Sequence, residues 1–335
     1  MENYSILEGP QLGLSGTVQS WEVINSDGSI ARACYKPHSN LITNYGLESL
    51  YLRNNSGGWG SYAWDVTKYI AIGTGTAEPT ITDTRLGTEV FRGERNYDAY
   101  NADSYSPAGG VDGYYYVTRT RGYQTNLGDL NNDVSEIGFS PDPTPNGASL
   151  FSKHRLKDEY GNPTSIRVNS DQQLRIKYIV SISVTPITTY TGSFELSGYT
   201  PTTINYTAGW QSCSQFDFVA NTTWQSLNMY FFSTSASFNP IGAAASVVST
   251  PTKVSQSTAS LSSDLSGGYY VLRDYTISTS QCTWPTGIAG VAINCYTPGA
   301  WTYVYSWWMN ISPPIIKPDT HRMTLRMKFS WGRAT

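Results

Sequence analysis

Two stretches of strict two-residue alternation constrain this chain more than any other feature. Leu174, Ile176, Tyr178, Val180, Ile182 and Val184 fall on one face of an extended segment; Arg175, Lys177, Ser181 and Ser183 fall on the other, with Ile179 the exception. Near the far end, Met323, Leu325, Met327, Phe329 and Trp331 alternate with Arg322, Thr324, Arg326, Lys328 and Ser330. A period of two matches the pleat of a strand with one side on a core and one side wet, and it does not fit the period of a helix. At about 3.3 Å per residue each strand exceeds roughly 25 Å. The two also match each other: Leu174-Arg175-Ile176-Lys177-Tyr178 lines up with Leu325-Arg326-Met327-Lys328-Phe329, from 174 to 325, an offset of 151. Duplication of a sandwich, each copy closed by an equivalent long strand, is one explanation. Convergence on a generic basic/apolar alternation is the other.

Composition extends the β reading to the whole chain. Charged residues are 14%, against roughly 25% in average soluble proteins. The 25 Tyr and 10 Trp, with abundant Thr and Ser, suit pleated, half-buried surfaces. Length, 335 residues, suits about two domains. A Ser/Thr/Tyr/Trp-rich stretch after residue 189, punctuated by turn signals such as Gly267-Gly268 and Pro298-Gly299, places the expected division at 1–188 and 189–335. The expected fold is all-β: two mainly antiparallel β-sandwich (jelly-roll-like) domains, with one short helix in the first. That helix is expected to start at Asn44 as its cap, with Leu47, Leu50 and Tyr51 on one face. A hairpin is expected over residues 18–35 around Asn25-Ser26-Asp27-Gly28.

Several function classes lose support. A net charge of −3 gives no basic footprint for nucleic acid. No run approaches the roughly 18 apolar residues of a membrane helix, and residues 1–12 lack a basic-then-apolar leader. Cys34, Cys213, Cys282 and Cys295 have no CxxC pairing, so no metal site is expected. Cys282 and Cys295 could flank a loop as a disulfide, which an assembly site in a cytoplasm opposes. Gly73-Thr74-Gly75 lacks the glycine and lysine of a phosphate loop and is expected to be structural. Asp129, Asn131 and Asp133 have calcium-loop spacing, but Val134 and Ser140 stand where Gly and Glu are needed. His38, His154 and His321 are far apart in sequence, with no nucleophile motif beside them. No catalytic, cofactor-binding or metal-binding residue emerges, and no cofactor is expected. Carboxylate pairs for glycoside hydrolysis are defined only in space, so a polysaccharide hydrolase ranks third. Aromatic clusters remain. Trp301, Tyr303, Tyr305, Trp307 and Trp308 are expected in a strand, as core or subunit interface. Trp59, Tyr62 and Trp64, in a glycine-rich loop, are the candidate ligand or partner contacts.

One ordered set of segments carries a resemblance. Asn40-Leu41-Ile42-Thr43-Asn44-Tyr45-Gly46-Leu47-Glu48 is followed by Tyr69-Ile70-Ala71-Ile72-Gly73-Thr74-Gly75-Thr76 and by Thr82-Asp83-Thr84-Arg85-Leu86-Gly87-Thr88-Glu89. Later come Glu136-Ile137-Gly138-Phe139-Ser140, Leu150-Phe151-Ser152 and Gly161-Asn162-Pro163. Together they resemble a module of structural proteins of tailed bacteriophages, particularly tail and tail-fibre-associated ones, over about the first half of the chain. The resemblance implies a non-enzymatic virion component, assembled in the bacterial host cytoplasm and located in the phage tail. Its implied partners are itself, as a trimer or hexamer, and other tail or portal-proximal proteins. Nucleic acid and membrane insertion are not among them. The alternative is a receptor-binding module, with residues 190–313 contacting a host surface glycan or protein.

Overall fold

The structure, a computed structural model, describes residues 6–55, 66–94, 96–105, 115–184, 190–195, 203–210, 228–233, 252–254, 258–263, 269–295 and 304–334. In chain order the first half runs β1 (Ile6–Asn25), β2 (Ile30–Cys34), β3 (His38–Ile42), α1 (Asn44–Asn55), β4 (Tyr69–Gly73), β5 (Glu89–Glu94), β6 (Ala102–Tyr105), β7 (Tyr115–Gln124), β8 (Asn132–Val134), β9 (Glu136–Ser140), β10 (Ser152–Arg155), β11 (Ile166–Val168) and β12 (Gln172–Val184). The second half runs β13 (Tyr190–Glu195), β14 (Thr203–Trp210), β15 (Asn228–Phe232), β16 (Thr252–Val254), β17 (Thr258–Ser263), β18 (Tyr269–Ile277), β19 (Ile288–Cys295), β20 (Val304–Ile315) and β21 (Met323–Arg333). The chain is thus mainly β, with antiparallel sheets and one α-helix among the described residues.

β1 is the spine. Its 20 residues would span about 65 Å if straight. Leu14, Val18, Trp21 and Val23 point into the core. Along one edge it pairs antiparallel with β12, from Leu12 opposite Val184 to Asn25 opposite Gln172. Along the other edge it takes three partners in turn: β21, in parallel, then β3, then β2. Pro10 falls where the β1–β21 register skips between Glu8 and Gln11, a place where a missing N–H breaks no ladder. The expected hairpin is the β1–β2 pair, with Gly28 at φ 85° in its turn.

Both alternating segments form the expected strands. Leu174, Ile176, Tyr178 and Val180 are buried along β12, as are Met323, Leu325, Met327 and Trp331 along β21. They do not close two separate sandwiches, however. They flank one strand, and Leu12 is paired with both Val184 and Trp331. Each of the two strands has one buried face, as the shared alternation requires. The resulting 13-stranded sheet takes β17, β18 and β21 from beyond residue 189, so strand pairing crosses the expected division of the chain. β13, β14, β20, β19, β15 and β16 form a second sheet of six strands, and β8 pairs with β11.

Helix α1 starts one residue earlier in its capping than expected. Thr43, not Asn44, accepts the Gly46 N–H at 2.9 Å. Asn44 is taken by the chain's far end: Arg333 Nη2 donates to its Oδ1 at 2.6 Å, and Arg333 Nε donates to the Ile42 carbonyl at 2.7 Å. Trp331 Nε1 donates to the Leu47 carbonyl at 2.8 Å. The last strand is therefore tied to the helix start as well as to β1.

Candidate functional site: a polar layer beneath residues 74–88

The part of the large sheet ordered β3-β10-β9-β4-β5 has two unlike faces. Ile70, Ile72, Ile137 and Phe139 enter the main core. By the pleat, Ala71, Gly73, Glu136, Gly138, Lys153 and Arg155 belong to the opposite face. Residues 74–88 fold over that face. They bury charged groups there, which is tolerable only if each charge meets a partner.

Glu136 is the hub. Its carboxylate is wholly buried, and Oε1 accepts the N–H groups of Gly75 at 2.9 Å and Thr88 at 3.0 Å. Lys153 Nζ lies 3.3 Å from Glu136 Oε2 and 3.1 Å from Asp83 Oδ2. Arg155 Nη1 donates to the carbonyls of Gly75 at 2.9 Å and Ser135 at 2.8 Å. Arg92 and Glu89 form a two-pronged pair, 2.8 Å on each prong, with almost no exposure of either side chain. Ala71, Leu86 and Leu150 fill the space between. A Cβ on Gly73 or Gly75 would collide with the Glu136 carboxylate, which explains the glycines of this loop by close approach. The Gly-Thr-Gly run does cradle an anion, and the anion is the chain's own Glu136. Burial works against the charge on Asp83. Hydrogen bonds from the Thr80 N–H (3.0 Å) and hydroxyl (2.8 Å), with the Lys153 ammonium, outweigh it and hold its pKa below the ordinary value.

The histidines are closer than their spacing suggests. His38 and His154 stack with ring centroids 6.2 Å apart, on the neighbouring strands β3 and β10. His154 Nδ1 is 3.1 Å from the Ser39 carbonyl, and its buried Nε2 has no partner. Burial pushes its pKa down to about 4. Burial also lowers the pKa of His38, whose Nε2 is 3.0 Å from the Asp158 carbonyl and 3.9 Å from Cys34 Sγ. His321 is exposed and lies elsewhere. Among the described residues no three His, Cys, Asp or Glu side chains are placed to share a metal ion.

A second polar constellation sits on the outer face of β1, β12 and β7. Glu22, 5% exposed, accepts from the Tyr35 hydroxyl at 3.0 Å, the Tyr100 hydroxyl at 3.2 Å and Arg175 Nη1 at 3.0 Å. The Arg175 guanidinium lies 4.2 Å from the centre of the Tyr97 ring. Tyr35 stays 59% exposed while its hydroxyl is fixed. The bond to Glu22, then burial, raises its pKa. Sequence reading missed this group because its members come from residues 22, 35, 97–100 and 175.

The remaining candidates divide. Trp59, Tyr62 and Trp64 lie outside the described residues, as do Trp301, Tyr303 and Cys213. The backbone of Tyr305, Trp307 and Trp308 runs in β20, between β14 and β19. Cys282 is buried, and the side chain of Cys295 lies outside what the structure describes. Asp129 accepts from Asn126, and Asn131 accepts from Arg167, which makes their calcium-like spacing a turn and a cross-strand contact. No protein-family model, no curated protein and no solved structure matches the chain.

Proposed function

We propose that the chain is a non-enzymatic structural component of a tailed-bacteriophage virion, in the tail or tail fibre, which associates with copies of itself and docks on other virion proteins. The observation that carries this is where the resembling segments meet. Spread from Asn40 to Pro163, they include the Thr43 helix cap, the Gly-Thr-Gly loop, Asp83, Glu136 and the strand bearing Lys153. Four of these five converge on the one polar layer. Its charged groups are committed to one another and to backbone atoms, an arrangement that fixes a loop on a sheet. Low charge with many Tyr, Ser and Thr suits surfaces covered by other protein copies, and closed threefold or sixfold symmetry is the ordinary solution for such parts. Jelly-roll-like sandwich domains, assembly in the host cytoplasm and residence in the virion belong to the same reading. Native mass spectrometry of the purified protein and cryo-EM of the parent particle test it. A protein that stays strictly monomeric and is absent from particles refutes it.

A second reading, recognition of a host surface glycan or protein, draws on the Glu22 constellation. Tyr35 offers an exposed ring held in one orientation, beside a guanidinium, as recognition surfaces do. Cell adsorption by wild type but not by Tyr35→Ala, at equal thermal stability, supports it. Equal adsorption by the two excludes this surface.

A further inference from the structure

The triad of Lys153, Asp83 and Glu136 holds the components of a dehydration reaction. The lysine Nζ is 3.1 Å from Asp83 Oδ2 and 3.3 Å from Glu136 Oε2, with side-chain exposures of 5% for Lys153 and 0% for Glu136. The amine and the Asp83 carboxyl are thus held in contact, so no chain movement is needed to bring the two reacting groups together. We propose that Lys153 and Asp83 condense into an intramolecular isopeptide bond, with Glu136 as the proton relay, stapling residues 74–88 to β10.

Each group has one role. Glu136 is immobilised through Oε1 by the Gly75 and Thr88 N–H groups, and its Oε2 has no hydrogen-bond partner and faces the ammonium. It accepts one ammonium proton and passes it to the Asp83 carboxylate, leaving a neutral amine beside a neutral acid. That neutral pair is a transient state, reached from the ionised resting site. The Lys153 nitrogen then forms a bond to Asp83 Cγ. Thr80 donates its N–H to Asp83 Oδ2 and its hydroxyl to Oδ1, so the oxygen that becomes the tetrahedral oxyanion keeps one donor. A second nitrogen proton moves through Glu136 to the departing hydroxyl, the carbon–oxygen bond breaks, and one water leaves. Ammonium plus carboxylate becomes amide plus water, with Glu136 regenerated and no co-reactant consumed. Asp83, 23% exposed in its side chain, gives that water an exit. The same Thr80 bonds keep Asp83 ionised, so the neutral pair is rare and the bond forms slowly.

Intact-mass spectrometry of the full chain, denatured and reduced after prolonged storage at neutral pH, decides the matter. The expected result is a mass one water below that of the sequence, and a tryptic digest with a branched peptide joining Asp83 to Lys153. Lys153→Arg, which keeps a cation between both carboxylates, is expected to return to full sequence mass with an unchanged circular-dichroism spectrum. Glu136→Gln is expected to slow or abolish the mass loss. Wild type at full sequence mass throughout overturns the proposal, and that result needs no variant to fold. So does a water loss that survives Lys153→Arg, or one that maps to an aspartyl–glycyl site such as Asp27-Gly28.

Discussion

Acidification should unfold this protein through His154. The imidazole is 2% exposed, Nδ1 is committed to the Ser39 carbonyl, and Nε2 faces no partner. A proton added there makes a buried cation with no acceptor. Burial, aided by the nearby His38 and Lys157 and opposed by the Ser39 bond, lowers its pKa from 6.5 to about 4. The unfolded chain therefore takes up this proton near 6.5 and the folded chain only near 4. Stability is complete above the first value and is lost as pH falls through the window between them. At about pH 5 an unfolded His154 is almost fully protonated and a folded one only about a tenth so, which removes about 2 kcal/mol relative to pH 7. His38 shifts in the same direction by burial and adds to the loss. Asp83 does not confuse the test: its pKa is lowered from 3.8, so its contribution is lost only below this window. The assay is urea unfolding at both pH values, followed by tryptophan fluorescence, for wild type and His154→Gln. Glutamine can still donate to the Ser39 carbonyl and has nothing to titrate. Wild type should lose about 2 kcal/mol more than the variant between the two pH values. Equal losses would mean that His154 ionises as freely in the fold as out of it, and the burial argument would fail.

Three other changes probe the polar layer and the far loops. Glu136→Ala strands two backbone N–H groups and leaves the Lys153 ammonium with Asp83 alone, so urea unfolding should show a loss of about 3 kcal/mol; a loss under 1 kcal/mol would mean that water replaces the carboxylate. Gly75→Ala drives a methyl into the same carboxylate and should cost about 2 kcal/mol or more, whereas a neutral result would show that the loop can lift. Lys317, 2% exposed, donates to the carbonyls of Thr279, Pro318 and His321 at 2.9, 3.2 and 2.9 Å, and burial lowers its pKa. Lys317→Met fills the space but leaves three buried acceptors with one donor fewer each, so the melting temperature should fall by several degrees, equivalent to about 2 kcal/mol; no shift would mean that these carbonyls are solvated.

What could be read from the sequence was whatever depends on near neighbours. β12 and β21 were legible because the pleat alone sorts Leu174 from Arg175 and Met327 from Lys328, and burial follows that sorting. Their partner was not legible: β1 carries Gly9, Pro10, Gly13 and Gly16 through its first half, which hides the alternation there, and its parallel pairing with β21 joins residues more than 300 positions apart. The helix cap failed for a related reason. Thr43 and Asn44 are both good capping residues, and the choice falls to Thr43 while Arg333, at the other end of the chain, occupies Asn44. β10 is the hardest case. Ser152, Lys153, His154 and Arg155 present polar groups on both faces, a pattern that locally means solvent, yet all four are buried. One face is made habitable by Asp83, Glu136 and the carbonyls of Gly75 and Ser135, the other by Asn40, Ser39 and Tyr178. A polar strand of this kind can be buried only after its distant partners are in place. The layer beneath residues 74–88 should therefore form late in folding, once β4, β9 and β10 have already paired through the apolar side of the sheet.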